Sequence, residues 1–183
     1  MNDKINIVEE ATLDCMVAYF SDTNFVLESG FKLSEFKIAF KTFGNLNKEK
    51  SNVILVCHAL TGDQYVTGYN PITKKDGWWS RMVGPNKPID TNKFFVICSN
   101  VLGGCAGSLG PKEIKDNKKF PSITIKDIVI AQNYLLDSLK IKKLHAVIGG
   151  SMGAMQALQW SISFPEKINN IIHIAGALKH SAQ

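Results

Sequence analysis

Ser151 is the residue of this sequence best suited to act as a nucleophile. It stands in Gly149-Gly150-Ser151-Met152-Gly153, between the apolar run 146–148 and a long apolar stretch that starts at Met152. Gly149 and Gly153 fill the two glycine positions of a G-x-S-x-G pattern. Where a buried strand turns directly into a buried helix, the backbone at the serine is strained and its Oγ is lifted above the sheet edge. Side chains on either side would collide there, so glycines flank it. The first amides of the following helix point at the same spot, and the helix dipole favours negative charge there. This arrangement suits acyl chemistry: a hydroxyl attacks a carbonyl, and the amide of Met152 donates to the oxyanion that forms. A second donor belongs on the loop after an earlier central strand. HALTGD, residues 58–63, follows NVILVC, and the amide of Leu60 is the candidate, with Thr61 and Gly62 as possible pocket residues beside it. The competing reading is a glycine-rich turn that only packs tightly or cradles a phosphate. GGSMGA lacks the G-x-G-x-x-G spacing of a dinucleotide turn, and no acid closes a following strand.

A serine hydroxyl needs a base, usually His, and an acid to orient it. With this elbow the order along the chain is Ser, then Asp or Glu, then His. After Ser151 the histidines are His173 and His180, and the only acid is Glu166. His173 lies inside the apolar run IIHIAG and reads as structural, and His180 has no suitably placed acid ahead of it. His58 either shapes the oxyanion loop or packs at a strand end, and His145 begins a strand. The catalytic acid and His are therefore read as absent from this chain. Gly103 and Gly104 open a glycine-rich loop, GGCAGSLGP, after FFVICSN. It falls on the C-terminal side of the sheet, where α/β folds bind ligands, and either lines the pocket or packs tightly. Cys105 has no identifiable histidine partner, and Trp78 and Trp79 read as packing residues.

These residues need a scaffold, and the hydropathy pattern supplies one. NVILVCHA, FFVICSN, LHAVIGG and INNIIHIAG are apolar on both faces, as central parallel strands covered on both sides must be. SEFKIAFKTFG alternates as a half-buried strand closed by Gly44-Asn45, and Ser29-Gly30 marks the turn before it. From Thr124, residues Ile125, Ile128, Val129, Leu135, Leu136 and Leu139 share one helical stripe, and Thr124 with Asp127 forms a capping-box pattern. A buried helix runs from Met152 to Phe164, ended by Pro165. Strands alternating with helices give an α/β class with a mostly parallel sheet and helices on both faces. Residues 1–24 read as a poorly ordered lead-in and 25–183 as one domain.

The chain has 183 residues, 45% hydrophobic and 20% charged, with a net charge of +5. That composition is globular and the length suits a single domain. No apolar run is long enough for a membrane-spanning helix, and the N-terminus lacks the pattern of a secretory signal. Cys15, Cys57, Cys98 and Cys105 make no CxxC pair and read as free thiols in a reducing cytoplasm. The lysines are scattered among acids, as in KEIKDNKK from Lys112, which reads as a solvated loop rather than a nucleic-acid surface.

The sequence resembles the homoserine O-acetyltransferases of the α/β-hydrolase superfamily, specifically their N-terminal half. The matching segments are LESGFKL, CHALTGDQYVTG, GWWSRMVGP, IDTNKFFVICSNVLGGCAGSLGP, FPSITIKDIVIAQ, VIGGSMGAMQALQW and FPEKI, in order from about residue 25. The resemblance places Ser151 on the family's nucleophile. It implies acetyl transfer from acetyl-CoA to Ser151 and on to the γ-hydroxyl of L-homoserine, a step of methionine biosynthesis, with no metal or bound prosthetic group. It also implies a water-poor tunnel and a homodimer for the full-length enzyme. Family members are about twice as long, with acid, histidine, a carboxylate-binding arginine and a helical lid in the second half. By that comparison the chain stops after about its sixth predicted strand, leaves IIHIAG as an uncovered apolar edge, and would be inactive alone. The alternatives that remain open are a homoserine O-succinyltransferase or serine O-acetyltransferase of the same family, a serine hydrolase on the same fold, and a non-catalytic truncated remnant.

Overall fold

Four apolar runs form the parallel part of one sheet, the last of them at its edge, in the structure, a computed structural model that describes residues 4–113 and 119–178. The strands of this sheet are β1 Lys4–Glu10, β2 Cys15–Val26, β3 Lys32–Phe43, β4 Val53–Cys57, β5 Phe95–Ser99, β6 Ala146–Gly150 and β7 Ile171–Ile174, and the α-helices are α1 Ile125–Ser138 and α2 Met152–Ser163. Among the described residues the sheet runs β1-β2-β3-β5-β4-β6-β7. The four strands β5, β4, β6 and β7 are mutually parallel, and β1, β2 and β3 extend the sheet antiparallel. β4 is buried at every position, as its unbroken apolar sequence requires.

Successive residues of β4 face opposite layers. Val53, Leu55 and Cys57 pack with Val147 of β6, with Val129, Ala131, Leu135 and Leu136 of α1, and with Ala157 and Trp160 of α2. Ile54 and Val56 face the other way, with Val96, Cys98, Ala146 and Ile148, and are covered by Val66, Val83 and Ile89 of the long β4–β5 connection. Helices were expected on both faces. Among the described residues both helices lie on one face, and the irregular connection covers the other. The reason is the direction of travel. The chain steps one way across the sheet from β4 to β5, then back past β4 to β6 and on to β7. Right-handed crossovers therefore place the first connection on one face and α1 and α2 on the other.

The reading of residues 1–24 as a poorly ordered lead-in is corrected for residues 4–24. β1 pairs with β2 along all of its length, and β2 pairs with β3 across a register shift between Ser21 and Phe25. β1 is exposed or half-buried throughout. Ile5 and Ile7 alternate with Lys4 and Asn6, but the run is short and ends in Glu9-Glu10; Ile7 packs against the core and the ladder with β2 holds the strand in place. In β2 the bulge shifts which residues face the core, which breaks the simple period of two.

The capping box forms. Asp127 N donates to Thr124 Oγ1 at 3.2 Å and Thr124 N to Asp127 Oδ2 at 2.9 Å. The other carboxylate oxygen of Asp127 accepts from Glu28 N at 2.9 Å, which fastens the β2–β3 turn to the start of α1. Ile172 and Ile174 of β7 are 46% and 40% exposed. All four cysteines are free, and no helix is long and apolar enough to cross a membrane. His180 and residues 114–118 of the lysine-rich loop lie outside the described residues.

Candidate active site

The β6–α2 junction is tight because strand and helix are joined without a loop residue to spare. Ser151 is the N-cap of α2 at φ 56° and ψ −122°, a conformation that costs a non-glycine residue on the order of 1–3 kcal/mol. Its backbone is held on both sides. The amide donates to Ile174 O of β7 at 3.0 Å, and the carbonyl accepts from Ala154 N at 2.9 Å and Met155 N at 3.2 Å. The side chain is left exposed.

The flanking glycines divide by geometry. A Cβ on Gly149 would lie 2.2 Å from Gly153 O, and one on Gly153 would lie 2.0 Å from Cys57 O. Both are backbone collisions that no rotamer relieves. A Cβ on Gly150 would have Ile174 O at 3.9 Å as its nearest neighbour, so the middle glycine is not required by packing. Gly149 and Gly153 therefore carry the elbow.

The second candidate donor follows the neighbouring strand. Gly149 pairs with Cys57 in register, which sets the chain leaving β4 beside the elbow. Residues 58–62 turn tightly there, with Gly62 N donating to Ala59 O at 2.9 Å and the site of a Gly62 Cβ only 2.9 Å from His58 Cβ. Neither Met152 N nor Leu60 N has a hydrogen-bond acceptor among the described residues, and Leu60 is 77% exposed. Two unpaired amides thus stand at adjacent strand ends, as an oxyanion hole requires.

The histidines differ in burial: His58 is buried, His145 half-buried and His173 exposed. His58 is 1% exposed. Its Nδ1 donates to Ala59 O at 2.7 Å and its Nε2 accepts from Val101 N at 3.1 Å. This fixes a neutral tautomer, and burial holds its pKa below the usual value. With its lone pair engaged it is no base. His145 precedes β6, at the opposite end of that strand from Ser151, and its ring lies 5.0 Å from that of Phe94. His173 sits within β7, in register with Gly149. Glu166 lies in the turn Pro165–Lys167, beyond the far end of α2. Ser151 Oγ has no histidine or carboxylate partner among the described residues.

The Gly103 loop forms a cleft of about 350 Å³ lined by residues of 103–113, Gly103 and Gly104 among them. Ser151, Leu60, Thr61 and Gly62 are not part of it. A Cβ on Gly104 would lie 2.5 Å from Asn100 Oδ1, so tight packing explains this glycine. Several buried polar residues escaped the sequence reading, Gln132, Gln156 and Asn100 among them. The first two were legible as single polar letters on otherwise apolar helix faces.

A family model for the α/β-hydrolase fold matches residues 52–182. The chain is 50% identical over 187 aligned residues to the homoserine O-acetyltransferase of Rhodospirillum rubrum, covering 98% of this chain and 48% of that protein. It is 53% identical to the homoserine O-acetyltransferase of Rhodopseudomonas palustris, over 92% of this chain and 44% of that protein. The chain thus spans about half the length of the curated relatives it matches. Among solved structures, homoserine O-acetyltransferase from Bacillus anthracis superimposes with a TM-score of 0.77 at 29% identity, over 98% of this chain and 48% of the other. An acetylester hydrolase from Corynebacterium glutamicum gives 0.71 at 32% identity, over 89% and 45%. The matched family model, the parallel sheet and the strained serine between β6 and α2 agree: the chain belongs to the α/β-hydrolase fold family.

Proposed function

We propose that these residues form the nucleophile and oxyanion portion of a homoserine O-acetyltransferase. The observation that carries the chemistry is Ser151 at positive φ, with the unpaired amides of Met152 and Leu60 following the ends of two paired strands. The substrates are inferred from the names of the relatives at about half identity. Ser151 Oγ attacks the thioester carbonyl of acetyl-CoA and passes its proton to a base. The two amides stabilise the oxyanion, the C–S bond breaks, and the thiolate leaves with the proton. The γ-hydroxyl of L-homoserine then attacks the acetyl-serine, giving O-acetylhomoserine for methionine synthesis and restoring Ser151. His58 has its lone pair engaged and Ser151 Oγ has no histidine partner among the described residues, so this reading takes the base from outside them.

The likeness to an acetylester hydrolase gives a second reading, in which water takes the acetyl group. One experiment separates the two. The full-length protein is mixed with acetyl-CoA, with and without L-homoserine, and the acetylated peptide and products are identified by mass spectrometry. Acetyl on Ser151 that passes to homoserine, and is lost in Ser151→Ala, is the expected result. Acetate as the product in the presence of homoserine supports the hydrolase, and acetyl on another residue refutes the assignment of Ser151.

A further inference from the structure

Gln156 lies on α2 five residues after Ser151, and its side chain is fully buried. A buried amide must satisfy its donors and acceptor inside the protein. Its Nε2 donates to His58 O at 3.1 Å and its Oε1 accepts from Gln132 Nε2 at 2.8 Å. Gln132 Oε1 in turn accepts from Trp160 Nε1 at 2.8 Å. An indole N–H can only donate. It therefore fixes which end of the Gln132 amide faces it, which fixes the Gln156 amide, which leaves a donor facing the His58 carbonyl. The three side chains form a one-way relay from α2 through α1 and back to the loop that follows β4.

The far end of the relay bears on the oxyanion loop. Gln156 fixes the peptide plane between His58 and Ala59 through its carbonyl. The next plane is fixed through Ala59 O, which accepts from His58 Nδ1 and Gly62 N. In a trans peptide the N–H points opposite to the C=O of the same plane, and that N–H is the amide of Leu60. Two successive peptide planes are thus locked from the protein side, and the Leu60 N–H is the group turned away from both locks.

We propose that Gln156, oriented by Gln132 and Trp160, is a positioning residue that works together with the His58 ring to aim the Leu60 amide at the acyl oxyanion. The inference rests on the reading of Leu60 as an oxyanion donor. A shift of about 1 Å in such a group costs on the order of a hundredfold in rate.

The test uses the full-length protein with Gln156→Met, which keeps the volume and removes the donor, and Gln132→Met as the milder second variant. Acylation of Ser151 by p-nitrophenyl acetate is followed as a burst. The position of the Leu60 amide is followed by NMR with carbonyl-labelled alanine and nitrogen-labelled leucine, which selects Ala59-Leu60, Ala157-Leu158 and Ala177-Leu178, and the Leu60 signal is assigned as the one lost in Leu60→Met. In Gln156→Met the acylation rate falls by about a hundredfold with little change in the half-saturating ester concentration, and the Leu60 amide signal moves. Gln132→Met gives a smaller loss in the same direction, and stands in for Gln156→Met if that variant does not fold. A folded variant with an unmoved Leu60 signal and wild-type acylation overturns the proposal. If the wild type forms no acetyl-Ser151, the functional reading has failed on its own. The NMR shift then decides the positioning role by itself: a moved Leu60 signal supports it and an unmoved one overturns it.

Discussion

Gly153→Ala tests the physical account of the elbow most directly. The added Cβ would lie 2.0 Å from Cys57 O, 2.8 Å from Cys57 C and 3.1 Å from His58 O. All three are backbone atoms, so relief requires the start of α2 and the end of β4 to part by about 1 Å. Ala154, Ala157 and Trp160 of the same helix are fully buried against the sheet, which resists such a movement. Overpacking of this kind costs about 1–3 kcal/mol, and rigid backbone on both sides puts this site at the upper end. Alanine regains about 1 kcal/mol over glycine within a helix, leaving a net loss of about 2 kcal/mol. Gly150→Ala is the internal control, because its Cβ meets nothing closer than 3.9 Å. Its effect should stay within about 0.5 kcal/mol of zero or be slightly stabilising. Urea unfolding of both variants reads these numbers. Acylation by p-nitrophenyl acetate should fall further in Gly153→Ala than the stability loss alone explains, because the displaced backbone carries the His58 loop. Equal stability of the two variants would refute the reasoning.

Four further outcomes follow from the same structure. Ser151→Gly and Ser151→Ala both abolish acylation, but only glycine relieves the positive φ, so Ser151→Gly should be the more stable by roughly 1 kcal/mol in thermal or urea unfolding. Burial holds the His58 pKa below its ordinary value of 6.5, so the unfolded chain binds a proton that the folded chain refuses. Stability is then full above about pH 6.5 and declines as pH falls through it toward the folded pKa; urea midpoints measured from about pH 8 to 5 should drop less steeply in His58→Gln, and equal slopes would exclude the linkage. Asp127→Ala removes acceptors for both Thr124 N and Glu28 N and should cost about 2–3 kcal/mol, against about 1 kcal/mol for Thr124→Ala, by urea titration. Burial pushes the Cys57 thiol up to about 12 and raises those of Cys15 and Cys98, so iodoacetamide at about pH 8 should label Cys105 alone of these four in the native protein, as read by peptide mapping.

What the sequence revealed and what it hid divide along the range of the interactions. The G-x-S-x-G elbow depends on atoms within a few residues of Ser151, and the capping box on Thr124 and Asp127 three apart, so both are legible as spacing. β4, β5 and β6 are legible because burial on both faces forces an unbroken apolar run. β1 is harder to read, since its alternation spans only Lys4 to Ile7 and the strand is otherwise held by its ladder with β2. The placement of both helices on one face depends on strand order, which no single segment encodes. Thr61 and Gly62 looked like pocket residues together with Gly103 and Gly104 because both pairs follow central strands. The structure joins the two loops instead through the His58 ring and Val101 N, and only Gly103 and Gly104 line the cleft. Gln132 and Gln156 are 24 residues apart, and each alone is one polar letter on an apolar stripe. Their meaning appears only once α1 and α2 lie side by side.

The two parts of the proposed catalytic apparatus are separable in the same sense. The strained serine is braced by β7 through Ile174 O and by β4 through the close approach of Gly153 to Cys57. The Leu60 amide is braced by α1, α2 and the loop after β5 through Gln132, Gln156 and the His58 ring. None of these supports involves a proton-transferring group. Oxyanion stabilisation and proton transfer contribute to the rate by different routes, and enzymes stripped of the triad retain catalysis over water from the oxyanion hole and binding alone. Loss of the Gln156 donor should therefore weaken binding of a negatively charged tetrahedral analogue even where no base assists Ser151, because the donor it aims is fixed by the described residues themselves.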